Sequence, residues 1–294
     1  MGKSPTLTIL TTTYNRSHLL GRCFESLCNQ ISKDFEWLII DDGSTDDTEA
    51  VVQQYKKTAG FPIRYFRKEN GGKHTALNFS HPYIRGQYVL MLDDDDILVP
   101  DAVEIVLSDW KKYAPNKKIA CLSYQKGNVG THKPLVDWSC DQPVVSNTID
   151  FRVNKGLSGD CAEVLRSSVF KEFPAPVFEN EKFLPEDFLW IPSAFKYDTV
   201  YIRKVIYLCE YRPDGLTRAG KRNQLKNPLG GLFSSNLYLR KEIAPTVQIK
   251  KSILYNCFAL ASSHYFRNLA KSNNVALCAL MLPVSLVFYI YWSK

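Results

Sequence analysis

Residues 88–92, Tyr-Val-Leu-Met-Leu, form an apolar run that stops on four consecutive carboxylates, Asp93, Asp94, Asp95 and Asp96. The β-branched and aromatic bias of the run reads as a buried strand, with the acids at its carboxyl end. Carboxylates this crowded resist joint ionisation unless a cation compensates them. A hard divalent ion, Mn2+ or Mg2+, suits them, because it takes oxygen ligands and keeps positions for substrate phosphates. Side chains alternate along an extended segment, so Asp93 and Asp95 fall on one side. The competing reading is a solvated acidic turn. It loses ground to a second acidic strand end, Leu38-Ile39-Ile40-Asp41-Asp42-Gly43-Ser44.

Strand and helix signals alternate through the first hundred residues. Leu7–Thr11, Glu36–Ile40, Ile63–Phe66 and Tyr88–Leu92 read as strands. Between them lie helical spacings at Leu19, Leu20, Cys23, Phe24 and Leu27, at Ala50–Tyr55 behind the capping run Ser44–Thr48, and at Thr75–Phe79. The alternation predicts an α/β fold with a mostly parallel sheet, in which ligands sit outside the carboxyl ends of the strands. Beyond residue 100 the pattern loosens to a helix over 101–107, a strand over 119–124, loops through 125–150 with room for one short strand, and two short strands over 199–202 and 205–209. Asp96 reads as a cap for the helix near Pro100, and residues 216–235, rich in Gly and Asn, as a basic loop or linker.

Charge divides the 294-residue chain unevenly. Residues 212–271 hold eleven Lys and Arg against Asp214 and Glu242, a net +9. Lys294 adds one to the chain's total of +7, which leaves residues 1–211 at −3. A basic tail on an acidic-leaning body points to phosphates or an anionic membrane; no nucleic-acid-binding motif is present, so nucleic acid is excluded as the partner. Residues 275–292 carry no charge and end in Phe288-Tyr289-Ile290-Tyr291-Trp292. That length sits at the lower edge of a membrane span, about 17 to 25 residues; a helix lying in the interface, a hydrophobic surface for a partner membrane protein and a buried core helix are the alternatives. The basic flank predicts that the body stays on the cytoplasmic face of the cell membrane. Eight cysteines without a paired CxxC spacing argue against zinc and disulfides and fit a reducing compartment. Met1–Pro5 runs straight into a strand, so no secretory signal is expected.

Four ordered motifs resemble the inverting glycosyltransferases of family two, which have the GT-A fold. They are Thr11-Thr12-Thr13-Tyr14-Asn15-Arg16, Ile40–Asp46, Asn70-Gly71-Gly72-Lys73 with Ala76 and Asn78, and Asp93–Asp96. Thr12 stands where the family often has Pro, and Leu77 where it commonly has Arg. The resemblance covers about residues 5–215. It implies a catalytic domain over 1–215, with a nucleotide-binding half at 1–100 and an acceptor-binding half at 101–215. Residues 216–294 would then be a basic loop, amphipathic helices and an apolar membrane segment. The family picture puts Thr12 and Tyr14 in a uridine pocket and Asp42 on the uracil imide. Lys73 would meet a phosphate or base edge, Asp93 the ribose or the ion through water, and Asp95 the metal directly.

Inverting transfer needs one general base for the acceptor hydroxyl. Glu186-Asp187 resembles the family's Glu-Asp pair, with Asp187 the first choice and Glu186 the alternative; acids in a helix's first turn are otherwise ordinary. The resemblance also offers Asp160 and Trp190 for the acceptor, and Arg212, Arg218 and Lys221 as a loop over the diphosphate. The expected activity is a hexosyl or N-acetylhexosaminyl transfer from a UDP-sugar to a polyprenyl-diphosphate-linked or glycan acceptor, in bacterial capsule, exopolysaccharide or O-antigen synthesis. Self-association is left open. The chain lacks the Gln-x-x-Arg-Trp motif of processive synthases, which implies one sugar per binding event. The rival readings are a sugar nucleotidyltransferase and a non-catalytic nucleotide-sugar-binding module.

Overall fold

The first strand, β1 (Leu7–Thr13), lies parallel between β2 (Phe35–Asp41) and β4 (Tyr88–Met91), with Thr13 opposite Asp41 and Leu10 opposite Met91. Every residue of β2 is buried, as expected for a strand covered on both faces. In the computed structural model the described residues are 4–136, 138, 140–157, 159–210 and 224–293. They group into two compact units, one of residues 1–147, 158–174 and 196–210, the other of residues 148–157, 175–195 and 211–294.

The first unit carries a nine-stranded sheet in the order β3-β2-β1-β4-β8-β6-β9-β5, with β7 beside β9. The remaining strands are β3 (Ile63–Arg67), β5 (Ile97–Leu98), β6 (Ile119–Asn128), β7 (Val144–Ser146), β8 (Cys161–Arg166) and β9 (Asp198–Cys209). The run β3-β2-β1-β4 is parallel, and β8 then joins antiparallel to both β4 and β6. This half has the parallel βαβ character read from its alternating signals; the second half is mixed. The helices of this unit are α1 (Leu20–Cys28), α2 (Thr48–Thr58), α3 (Lys73–Ser80), α4 (Ala102–Tyr113) and α5 (Ser167–Glu172). The two short strands expected over 199–209 are one continuous β9, which keeps its pairing with β6 through shifts in register. The expected loop after 124 also shortens, because β6 runs on to Asn128.

Trp37, Phe35, Ile39, Leu20, Leu27 and Trp110 belong to one fully buried core, and each such side chain contributes about 1.5–3 kcal/mol on leaving water. The Trp37 indole N–H donates to Thr11 Oγ1 at 2.9 Å, so its polar edge is satisfied. Glu36 is buried yet fully used: it accepts from Thr8 Oγ1, the Arg85 backbone N–H and the Arg64 guanidinium. A buried carboxylate survives only with such partners, and these three tie β1, β2 and β3 in register.

The second unit is helical: α6 (Asp187–Ala194), α7 (Pro228–Leu237), α8 (Pro245–Ala261), α9 (Tyr265–Leu269) and α10 (Val275–Ser293). The linker expected over 216–235 is corrected in its described part, where residues 228–237 are helical. Gly230 and Gly231 there are contact glycines, not linker residues. A Cβ on Gly231 would meet the Phe258 ring at 2.6 Å, and one on Gly230 the Phe183 carbonyl at 2.7 Å. The apolar run of 275–292 is the single helix α10, long and apolar enough to cross a membrane, with 11% of that stretch buried against the rest of the chain.

Candidate active site

Parallel strands end side by side, so β1, β2 and β4 deliver their carboxyl-terminal residues to one edge of the first unit. Tyr14 follows β1 and is 45% exposed, leaving a ring face open. Thr12 precedes it on β1 and is half-buried. Asp41 and Asp42 close β2, and the carboxylate run follows β4.

The four carboxylates have divided roles. Asp94 is buried, accepts from Thr13 Oγ1 at 2.8 Å and pairs with Arg16 at 2.8 Å. Burial still pushes its carboxyl up to about 6. Asp96 is also buried and accepts the Tyr207 hydroxyl at 2.8 Å; burial and the Asp93 charge push it up to about 7. The expectation that Asp96 caps the following helix is corrected: Asp101 is the N-cap residue of α4, and no side chain caps it. Asp93 is half-exposed, 2.7 Å from Lys73 Nζ and 3.8 Å from Lys126 Nζ. Burial raises its carboxyl, but Lys73 and Lys126 outweigh that and hold it well below the usual carboxylate range. Asp95 meets the second nitrogen of Arg16 at 2.5 Å and keeps partial exposure.

Two of the four carboxylates are thus locked into the fold, while Asp93 and Asp95 face cations at the strand edge. Among the described residues no group of three or more His, Cys, Asp or Glu is arranged to hold a metal ion alone. Asp93 and Asp95 would offer carboxylate oxygens, which Mg2+ or Mn2+ takes in ones or twos beside a substrate's phosphates. The donor set is all oxygen, as a hard cation requires.

Asp42 is heavily engaged. Its Oδ1 accepts from Lys68 Nζ at 2.6 Å and Gly71 N–H at 3.1 Å; its Oδ2 accepts from Asn70 Nδ2 at 3.0 Å and Gly72 N–H at 2.7 Å. A carboxylate offers about four lone-pair sites, and here all four serve the Gly-Gly turn. A uracil imide therefore reaches Asp42 only by displacing one of these donors. Gly72 is the N-cap residue of α3 and has φ +92°, a conformation glycine adopts at no steric cost. The turn thereby sets Lys73, the first residue of α3, against Asp93. Asp41 anchors the preceding turn through Ser44 N–H at 2.7 Å, as Asp before Ser/Gly turns does.

Of the remaining predicted residues, Asp160 belongs to the first unit, is exposed, and its charge helps raise the Lys126 ammonium, which burial alone would lower. Glu186, Asp187 and Trp190 belong to the second unit, where Glu186 is the N-cap residue of α6 and Asp187 its first residue. Asp187 accepts from Tyr238 Oη at 2.6 Å and Ser234 Oγ at 2.5 Å, with Lys251 Nζ at 4.0 Å. It lines a cavity of about 130 Å³ with Phe183, Gln224, Asn227, Ser234 and Lys251. Burial lowers the Lys251 ammonium, partly offset by Asp187, and the same ammonium lies 3.6 Å from the Tyr238 ring centre. Arg212, Arg218 and Lys221 lie outside the described residues.

Arg16, Lys68, Lys126 and Tyr207 carry site geometry that sequence reading assigned to no role. Arg16 had a signal, since it ends the motif after β1; Lys126 and Tyr207 arrive from strands over thirty and one hundred residues away. Ser234, Tyr238 and Lys251 around Asp187 are of the same kind.

A family model described as glycosyl transferase family 2 matches residues 8–166. Chondroitin synthase of Escherichia coli is 36% identical over 143 residues, which are 48% of this chain and 20% of that protein. The GalNAc(5)-diNAcBac-PP-undecaprenol beta-1,3-glucosyltransferase of Campylobacter jejuni is 28% identical over 235 residues, 78% of this chain and 72% of that protein. The chain thus spans about a fifth of the first relative and nearly three quarters of the second. Among solved structures, S. aureus TarS residues 1–349 in complex with UDP-GlcNAc matches with a TM-score of 0.62 at 14% identity, covering 98% of this chain and 82% of that one. A mannosyltransferase from Pyrobaculum calidifontis, solved with GDP-Man and Mn2+, matches with a TM-score of 0.56 at 16% identity, covering 99% and 84%. These likenesses show the GT-A fold.

Proposed function

Because the chain belongs to glycosyl transferase family 2, with relatives in bacterial polysaccharide synthesis, we propose that it transfers one hexosyl or N-acetylhexosaminyl unit from a UDP-sugar to a lipid-diphosphate-linked glycan, with inversion. The observation that carries this reading is the convergence of Tyr14, the Asp42 turn, Lys73, Asp93 and Asp95 at one strand edge. The carbohydrate acceptor linked to undecaprenol diphosphate in the Campylobacter relative's name supports the acceptor class, and the UDP-GlcNAc complex of TarS the donor class.

In this reading the Tyr14 ring stacks on the base, and Asp42 takes its imide N–H in exchange for the Lys68 or Asn70 donor. Lys73 turns from Asp93 to a donor phosphate. Asp95, with Asp93, would hold a divalent ion, which would supply positive charge against the negative charge growing on the departing diphosphate. Asp187 accepts the proton of the acceptor hydroxyl as its oxygen bonds to the anomeric carbon and the sugar–phosphate bond breaks, releasing UDP. Ser234 and Tyr238 hold that carboxylate in place, and Glu186 is the alternative base. Asp160 and Trp190 contact the acceptor, and Arg212, Arg218 and Lys221 neutralise the diphosphate. The basic, apolar C-terminal portion keeps the protein at the cytoplasmic face of the membrane, where lipid-linked acceptors reside.

A panel of nucleotide sugars with Mn2+, assayed for UDP release with and without extracted lipid acceptor, tests the reading. The wild type should release UDP only with acceptor, and Asp187→Asn should keep donor binding while transfer falls on the order of 10²- to 10⁴-fold, the worth of a general base. Release of pyrophosphate from UTP and a sugar 1-phosphate, with no UDP released from the panel, would identify a nucleotidyltransferase. Donor binding without any transfer by the wild type would identify a binding module.

A further inference from the structure

Helix α10 is apolar all round, and its length of 19 residues matches a bilayer span. Its contacts describe a helix with one wall already committed to protein. Cys278 and Ser285 are its buried residues, one heptad apart. The Asn256 amide on α8 donates to the Cys278 carbonyl at 2.7 Å and to Ser285 Oγ at 3.0 Å, and Asn256 is fully buried. The Cys257 thiol reaches the Ser285 carbonyl at 3.4 Å, and Asn274 bonds Gln248 at 3.0 Å. Positions 248 and 256–257 of α8 therefore match 274 and 278–285, so the two helices run side by side in the same direction.

Roughly half a turn away around α10 lies the stripe Leu280, Val284, Val287 and Tyr291, with exposures of 74%, 42%, 67% and 74%. Such a stripe on a water-soluble surface marks an interaction face. Charge names what covers it. Residues 243–294 contain no Asp or Glu, whereas Lys250, Arg267, Lys271 and Lys294 fall among them. Phe266, beside Arg267, is 83% exposed. An acid-free stretch with exposed basic residues and an exposed aromatic complements an anionic lipid headgroup layer.

We propose that α10 lies along an anionic phospholipid surface and does not cross it, with the Leu280–Tyr291 stripe in the acyl boundary and Arg267 and Lys271 drawn to headgroup phosphates. Crossing would exact one of two penalties. If α10 left α8, the Asn256 amide would lose both its partners, the Cys278 carbonyl and Ser285 Oγ. If α8 followed, the Tyr255 hydroxyl bond to the Asn268 carbonyl, 2.5 Å, would carry Arg267 toward hydrocarbon, where charge is strongly disfavoured. The inference rests on the membrane association proposed above and specifies its geometry.

Full-length Ser293→Cys protein is added to sealed vesicles, either of phosphatidylcholine alone or with 30% phosphatidylglycerol (a chosen composition), and floated. It is then treated with a membrane-impermeant maleimide, and modification at position 293 is read by peptide mass mapping. The expected result is flotation with the anionic vesicles and full modification at 293 without detergent. Arg267→Gln with Lys271→Gln should weaken binding to anionic vesicles about fivefold per charge removed and leave weak binding to neutral vesicles unchanged. Modification at 293 only after detergent would overturn the in-plane geometry while leaving membrane association standing. Failure to float with either vesicle would overturn membrane association itself, and with it this inference. Nucleotide binding by each variant, equal to that of the wild type, reports that the first unit has folded.

Discussion

Asp42→Asn is a near-isosteric change whose cost follows from the turn it supports. Two donors converge on each carboxylate oxygen: Lys68 and Gly71 on Oδ1, Asn70 and Gly72 on Oδ2. In either amide orientation one oxygen becomes an NH2 group, and two of the four donors then face another donor. Hydrogen bonds to a charged group contribute about 1.5–3 kcal/mol each, so the pair lost amounts to about 3–6 kcal/mol. Reorientation of Lys68, which is 15% exposed, recovers part of this, leaving about 3 kcal/mol. Thermal unfolding of the sheet-bearing unit, followed by near-UV circular dichroism of its buried tryptophans, should shift down by roughly 6–12 °C. Nucleotide binding should weaken too, because the turn no longer presents Lys73. An Asp42→Asn protein that melts with the wild type but has lost nucleotide would refute the four-donor turn and leave Asp42 a ligand contact alone.

Other perturbations have equally definite signs. Gly231→Ala should destabilise by about 1–3 kcal/mol in a urea titration, although alanine favours helices over glycine by about 1 kcal/mol, because the new Cβ would meet the Phe258 ring at 2.6 Å. Tyr238→Phe keeps the ring beside Lys251 and removes one donor to Asp187; kcat should fall about tenfold or more, the worth of 1.4 kcal/mol, with the donor KM unchanged in steady-state assays. The Asp46 carboxyl is pushed up by burial, but hydrogen bonds from Thr48 and Ser17 outweigh this and hold it at about 2. Its contribution to stability is therefore present above its ordinary 3.8 and is lost as pH falls toward 2. Asp46→Asn should flatten the acid limb of a melting-temperature profile over that window, by a small amount because the group is exposed and screened.

The parallel half of the sheet was legible because its information is local. Runs such as Leu38-Ile39-Ile40 announce strands, and the acids that end them mark the carboxyl edge of the sheet before any long-range contact is known. Resemblance extended this to Tyr14, Lys73 and the Asp93–Asp96 run, all of which fall at that edge. What lay hidden depended on chain-distant packing. Tyr207 reaches Asp93 and Asp96 from β9, more than one hundred residues on, and Lys126 reaches Asp93 from β6. No spacing in the sequence records either approach. Arg203 and Lys204 interrupted the apolar pattern of residues 199–209 and suggested two strands; both are exposed where β9 shifts its register against β6. Gly230 and Gly231 suggested a linker because glycine is a poor helix former, whereas the Phe183 carbonyl and the Phe258 ring require their missing side chains.

Isothermal titration of UDP into the full-length protein, with Mn2+ and then with EDTA, tests most directly whether the strand-edge acids hold a nucleotide diphosphate through a cation. The account predicts binding that requires Mn2+ and weakens at least tenfold in Asp95→Asn. Equal heats with and without the ion, or an Asp95→Asn isotherm that overlays the wild type, would contradict it.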